Sequence, residues 1–219
     1  MPGHFHPKGV GTLVLLFSLS FGILSAWGME ERDPEAWIAR GKEEYTRMTC
    51  QSLERAVEYC HKAVSLKPDS PSAHAWLGRA CGHWGGLLRQ EGKGGAELLN
   101  QGILHGRRAL ELDPHSLDGA LAMADLYLLT SNFSEAKKMA EAARKVDPQN
   151  PWAAYFLWKA SDPENPESPL LNPALAGKPT MALAYLDQGH AFLRRGEAEK
   201  AKQVSGMMPI RKNKSVNRT

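Results

Sequence analysis

One short pattern occurs three times in the chain and constrains its fold more than any other feature. The copies read AVSLKPDS from Ala63, ALELDPHS from Ala109 and ARKVDPQN from Ala143. In each copy Leu or Val follows three residues after the alanine and proline five residues after it. A proline cannot continue a helix, and it disfavours the helical conformation of the residue before it. The pattern therefore predicts three helices, each ending just before a proline.

The two later copies are 34 residues apart, and small residues recur at fixed places between them. This period resembles that of the tetratricopeptide repeat family, in which pairs of antiparallel helices stack side by side. The resemblance implies an all-α superhelical stack with about three repeats and a degenerate C-terminal one. It also places small residues where neighbouring helices touch; these are Gly41, Gly78, Ala124, Ala136, Ala143 and Gly189.

The second repeat departs from the family spacing. Gly78 lies 31 residues before Ala109, which is about twelve more than the family pattern predicts. We expect the insertion to form a loop at RQEGKGG and a longer second helix. After the repeats over 34–160, five prolines predict a loop over 161–179, followed by a partial repeat over 180–205. Because that last repeat lacks the usual terminal helix, a second copy of the chain could cover its edge.

The N-terminal residues resemble an export signal. An uncharged apolar run over 10–27 follows a weakly positive start, and small residues precede a cleavage point after Gly28. We therefore predict a signal peptide over 1–28 and a location outside the cytoplasm, such as the periplasm. If the segment is not cleaved, its length just suffices for a membrane anchor over 10–27.

Charge and motifs argue against several kinds of site. The net charge is +3, and the basic residues of 206–219 form a tail that we expect to be disordered. No basic stripe interleaved with aromatic residues indicates nucleic-acid binding. The sequence GKGG lacks the spacing of a phosphate-binding loop, so it predicts a flexible turn. We expect no enzyme activity and no cofactor.

The stretch WLGRACGHWGG, over 76–86, raises the question of chemistry at Cys81 and His83. A metal site needs three or four ligands, and the nearby histidine and cysteine side chains do not share one helical face. We therefore interpret the stretch as a packing device, with Gly85 at the turn and Trp84 over the inserted segment. Cys60 and Cys81 lie on neighbouring helices, and we hypothesise a disulfide between them after export.

By analogy with the family, fixed positions of each repeat line the concave face of the stack. Those with side chains suited to binding are Lys42, Tyr45, Arg79, His83, Leu121, Asp125, Leu128, Leu129, His190 and Arg194. Leucines flanked by charges are typical of a groove for an amphipathic helix or an extended peptide. Equally, some of these leucines could be buried against the long second helix or the Pro-rich loop.

Two functions fit these features. The chain resembles exported bacterial tetratricopeptide proteins and, more distantly, regulators of microtubule dynamics, which implies a non-enzymatic scaffold that binds a protein partner. The alternative is a carrier of a small ligand, with an apolar pocket beside the Pro-rich loop. Its walls would be Trp152, Tyr155, Phe156 and Trp158, although adjacent aromatic residues more often seal a core.

Overall fold

A computed structural model describes residues 32–176 and 182–207, and this part of the chain is α-helical with no strand. The prediction of an all-α stack of helix pairs is confirmed. The α-helices, numbered along the chain, are α1 (Pro34–Tyr45), α2 (Cys50–Leu66), α3 (Pro71–Gln90), α4 (Ala96–Leu112), α5 (Leu117–Leu129), α6 (Phe133–Val146), α7 (Pro151–Ser161), α8 (Asn172–Ala176), α9 (Ala182–Arg194) and α10 (Ala198–Gly206).

The recurring proline motif both ends one helix and starts the next. Two residues after each proline stands a Ser or Asn whose side-chain oxygen can cap a helix N-terminus. The Ser70 hydroxyl accepts a hydrogen bond from the Ala73 N–H, and Ser116 caps α5 in the same way. Asn150 accepts from two N–H groups at the start of α7. The motif thus sets the connection from the second helix of one repeat to the first helix of the next.

The helices form two layers. The first helices of successive repeats, α1, α3, α5 and α7, contact one another in order, and α2, α4 and α6 pack as their partners. The largest hydrophobic cluster joins α5, α6 and α7 to the segments that follow them. Alanines supply much of this core: Ala124, Ala136 and Ala143 have no exposed surface. Side chains this small let the helix backbones approach closely.

The insertion in the second repeat lengthens both of its helices. As predicted, α4 is long and begins at Ala96, but α3 also continues to Gln90. Gly85 therefore lies inside a helix, and the prediction that it occupies the turn is wrong. The turn lies over 91–95, where the glycines at 92, 94 and 95 adopt positive φ. Trp84 packs against a cluster of Tyr45, Leu53, Ala56 and Ala80.

A seam of glycines joins α3 and α4. A Cβ atom added at Gly78 would lie 2.8 Å from the Gly102 carbonyl oxygen and 3.0 Å from the Gly106 nitrogen. A Cβ at Gly102 would meet the Gly78 oxygen at 2.7 Å. These neighbours are main-chain atoms of rigid helices, so the two backbones touch only because side chains are absent.

The Pro-rich segment is partly helical and belongs to the core. It contains a 3-10 turn over Pro169–Leu171 that leads into α8. Leu171 and Ala174 are fully buried in the main cluster. The Trp158 indole donates to the Asn165 carbonyl, and the Gln188 amide donates to the Pro166 carbonyl. The predicted loop over 161–179 is therefore replaced, up to 176, by a compact segment that fills the place of a second helix.

The C-terminal end of the described chain presents a polar surface. Ala201 and Val204 of α10 pack inward on Phe192, whereas Glu199, Lys202 and Gln203 are exposed. A polar outer face is typical of a helix that caps a repeat stack. Whether a second copy covers this edge stays a prediction.

The predicted signal peptide or anchor and nearly all of the basic tail lie outside the described residues. Among the helices of the described part, none combines the length and the apolar character that crossing a bilayer requires.

Candidate partner-binding face

Four of the predicted groove residues meet in one buried group on the inner layer, here called the Asp125 cluster: Tyr45, Arg79, His83 and Asp125. One carboxylate oxygen of Asp125 accepts hydrogen bonds from the Tyr45 hydroxyl at 3.1 Å and from Arg79 Nε at 2.9 Å. The other oxygen lies 3.1 Å from His83 Nε2. The cluster ties α1, α3 and α5 together across the face that was expected to be an open groove.

Aromatic rings enclose the guanidinium group of Arg79, whose side chain is 2% exposed. The Arg79 Cζ atom lies 4.7 Å from the ring centre of Trp76 and 4.9 Å from that of Trp152. Tyr45 and Phe156 flank the same group at 4.9 and 5.7 Å. Arg79 Nη2 is buried without a hydrogen-bond partner, so cation–π contacts replace some of its lost hydration. The middle of the concave face is thus filled by the chain's own side chains.

Asp125 and Arg79 are both charged although they are buried. Burial by itself raises the pKa of Asp125, but the charges of His83 and Arg79 and their hydrogen bonds hold that pKa well below its ordinary value. Burial lowers the pKa of Arg79, yet Tyr45 and Asp125 more than offset this and raise it. Burial is also the main reason why the pKa of Tyr45 is raised. Each buried charge therefore depends on its partner.

A second polar link joins α7 to α9. The Tyr155 hydroxyl donates to Asp187 at 2.5 Å, and Lys159 Nζ lies 2.9 Å from the same carboxylate oxygen. Sequence reasoning missed this link. Its side chains come from helices separated by the Pro-rich segment, and no local pattern connects them.

The predicted groove residue His190 lies with three leucines of α9 on an exposed apolar strip, here called the leucine face: Leu183, Leu186, His190 and Leu193. The three leucines are 41%, 43% and 55% exposed. Spacings of three and four residues place all four side chains on one side of a helix. Arg194 borders the strip, and its Nε lies 2.9 Å from a Glu164 carboxylate oxygen.

The remaining predicted groove residues are not free to bind a partner in the same way. Leu121 is buried, Leu128 packs against the main cluster, and Leu129 packs against a smaller cluster around Met123. The competing interpretation, in which such leucines are buried internally, describes these three positions. Lys42 is partly exposed; its Nζ lies 4.8 Å from the Trp76 ring centre and 4.0 Å from an Asp118 oxygen.

The contact positions of the repeats differ in how strictly they need a small residue. A Cβ atom at Gly41 would lie 2.5 Å from Cys60 Sγ. At Gly189 the nearest atom would be the Ala201 oxygen at 3.9 Å, an ordinary van der Waals distance. Gly189 therefore occupies the position that the resemblance predicts, but alanine fits there too.

The cysteines are structural in this fold. Cys60 and Cys81 share one apolar cluster with Leu77, and all three cysteines of the chain are free thiols. The hypothesised Cys60–Cys81 disulfide is therefore not formed. Burial raises the pKa of both thiols to about 12, which keeps them protonated and unreactive. Within the described ranges no group of three or more potential metal ligands comes together.

The aromatic side chains of the proposed carrier pocket pack against one another. The ring centre of Phe156 lies 5.6 Å from those of Trp152 and Tyr155, which are 6.3 Å apart. Tyr155, Phe156 and Trp158 are buried in the main cluster. These rings seal the core and cover Arg79 instead of lining an open pocket.

Comparisons with known proteins agree with the geometry. The family model for the tetratricopeptide repeat matches residues 96–157. No curated protein sequence matches the chain. Among solved structures, the chain is similar to TTC0263, a thermophilic TPR protein in Thermus thermophilus, with 15% identity and a TM-score of 0.62 over 82% of this chain and 93% of that chain.

Two further structures are similar at low identity. Human IFIT1, solved as a dimer with PPP-AAAA, is 18% identical with a TM-score of 0.58, over 85% of this chain and 44% of that chain. MamA from Desulfovibrio magneticus RS-1 is 16% identical with a TM-score of 0.47, over 84% and 97%. The likeness to TTC0263 and IFIT1 shows a shared fold alone.

This fold is typical of scaffolds for protein–protein interaction. The matched repeat model supports a tetratricopeptide repeat over residues 96–157, and the stacked helix pairs give the described residues a tetratricopeptide-like fold.

Proposed function

We propose that this protein is a scaffold that binds an amphipathic helix or an extended peptide of a partner protein through the leucine face of α9. One observation carries the proposal. Leu183, Leu186 and Leu193 expose 41–55% of their surface along a single side of one helix. Scattered exposed leucines need no explanation, but a contiguous apolar strip indicates an interaction site. An amphipathic partner helix would bury its own apolar face there.

Because side chains fill the centre of the concave face, we place the partner on α9. The Asp125 cluster and its aromatic neighbours occupy the space in front of α3 and α5, so a peptide would find no apolar contacts there without unfolding a buried ion pair. The leucine face, by contrast, requires no rearrangement. His190 and Arg194 supply polar contacts at its edge, where an interface is usually hydrated.

The test compares glutamate substitutions on two exposed leucines. Leu186→Glu places a charge in the middle of the leucine face, whereas Leu104→Glu places it on α4, where Leu104 is 63% exposed. Each tagged variant is expressed in the native cell and crosslinked, and the attached polypeptides are quantified by mass spectrometry. We expect Leu186→Glu to lose its partner and Leu104→Glu to retain it, with unchanged circular dichroism for both.

Recovery of the same polypeptides by both variants would contradict the proposal. Leu128 is a poor choice for this test because it packs against the core, so a charge there would also destabilise the fold. Native mass spectrometry of the purified protein separates the scaffold from the carrier. A bound polypeptide supports the scaffold, and a bound small molecule supports the carrier.

We also propose that the protein works outside the cytoplasm, because the apolar run over 10–27 has the composition of an export signal. N-terminal sequencing of protein from the native compartment should find a new terminus after Gly28, or an uncleaved chain in the membrane fraction. Full-length protein confined to the cytosolic fraction would contradict this part of the proposal.

A further inference from the structure

A hydrogen bond between two histidine rings links α3 to α4, outside both the Asp125 cluster and the leucine face. The Nδ1 atoms of His74 and His105 are 2.9 Å apart. His74 is 7% exposed, and His105 is half-buried. His74 Nε2 lies 3.0 Å from the Pro68 carbonyl oxygen. Because a carbonyl only accepts, this nitrogen carries hydrogen, and Nδ1 of the neutral His74 accepts from the Nδ1–H of His105.

This arrangement limits how many protons the two rings can take up. A first added proton goes to Nε2 of His105, which leaves the bond between the rings intact. A second added proton has one place left, Nδ1 of His74, and this nitrogen is the acceptor of the bond. Two N–H groups cannot point at each other across 2.9 Å. The second proton therefore breaks the link between α3 and α4.

The surrounding charges also oppose the second proton. The charges that act on His105 come from its histidine partner and from His61 on α2, and both are positive when protonated. On the other packed helices, Lys42 of α1 lies 4.0 Å from an Asp118 oxygen of α5. Arg108 of α4 forms an ion pair within its own helix. In the described part of the chain, a second added charge on the two rings therefore lacks a bonded carboxylate to offset it.

We propose that the His74–His105 pair is a pH-sensitive latch, which holds α3 against α4 at neutral pH and releases them as the solution becomes acidic. On release, the half-buried His105 turns towards water. Gly78 and Gly102, where the two backbones touch, lie four residues after His74 and three before His105. The latch is thus about one helical turn from the tightest contact of the seam, and its release loosens that contact.

The direction of the pH effect follows from the protonation of the two states. Burial, and then the charges of His74 and His61, lower the pKa of His105 to about 4. Histidine in an unfolded chain has a pKa of about 6.5. The contribution of the pair is therefore complete above pH ~6.5 and is lost as the pH falls towards 4. This range lies above the one in which Asp125 loses its charge.

The test measures hydrogen exchange of the α4 amides by NMR from pH 7.5 to 4.5, corrected for the intrinsic pH dependence of exchange. We expect the equilibrium constant for opening of α4 to rise at least about tenfold, and that of α6 to rise less. In His105→Gln the side-chain amide can still donate to His74 but does not titrate, so the rise should disappear. The exposed His115, changed to Gln, should retain it.

An opening constant of α4 that stays unchanged from pH 7.5 to 4.5 would overturn the proposal, and so would an equal rise in His105→Gln. The ¹⁵N resonances of the two rings give a readout that needs no variant and holds even if His105→Gln destabilises the fold. We expect the pair to take up its protons in two separate steps, the second well below pH 6.5. Two independent titrations near pH 6.5 would also overturn the proposal.

Discussion

The glycine seam between α3 and α4 allows a sharp test of the packing. In Gly78→Ala the new methyl group would lie 2.8 Å from the Gly102 oxygen, 3.0 Å from the Gly106 nitrogen and 3.4 Å from the Gly106 Cα. All three contacts are with main-chain atoms, so neither a rotamer change nor a small side-chain shift relieves them. The helices have to separate along their common seam.

The expected cost follows from two opposing effects. Overpacking of this kind costs about 3 kcal/mol, the upper end of its usual range, because the neighbours are rigid. Replacing glycine by alanine inside a helix returns about 1 kcal/mol. We therefore expect Gly78→Ala to lower the free energy of unfolding by about 2 kcal/mol and the melting temperature by roughly 4–8 °C.

The same helix offers a matched control. Gly86 also lies inside α3, but its added Cβ would meet nothing closer than a Leu129 methyl group at 4.0 Å. Gly86→Ala should therefore gain about 1 kcal/mol from helix propensity alone. Urea unfolding followed by circular dichroism and tryptophan fluorescence measures both variants. A Gly78→Ala variant as stable as the parent, or equal changes in stability from the two substitutions, would refute the close backbone contact at Gly78.

Three further predictions concern separate parts of the fold. Gly189→Ala should stabilise the protein by about 0.5–1 kcal/mol in thermal unfolding, because the site has room for a methyl group; a loss would contradict this. Asp125→Asn should cost about 3–5 kcal/mol by leaving Arg79 unpaired. Folding lowers the pKa of Asp125, so its carboxylate stabilises the fold above pH ~4, and this stabilisation is lost as the pH falls further. The free energy of unfolding of Asp125→Asn should therefore depend less on pH below pH ~4. Leu171→Ala should cost about 2–5 kcal/mol, and a negligible change in urea unfolding would show that the Pro-rich segment is not part of the core.

Local patterns were sufficient to predict the helix pairs. The prolines at 68, 114 and 148 fix where second helices end, because a proline ring cannot enter a helix interior. The small residues between them mark contact positions, since close helices exclude larger side chains. The extended α4 was also predicted from sequence, because the spacing from Gly78 to Ala109 requires additional residues between them, whereas the longer α3 was not predicted.

Only the tertiary structure decided whether the concave face is open or filled by side chains. Tyr45, Arg79 and Asp125 come from three repeats, with the tyrosine and the aspartate 80 residues apart, and family positions give their direction but not their mutual contacts. Trp152 and Phe156 cover Arg79 because α7 packs beside α5, a placement that no nearby sequence encodes. The repeat period determined which helices form and pair. Side-chain contacts between distant repeats decided that the centre of the face is a buried ion pair and that its exposed leucines lie on α9.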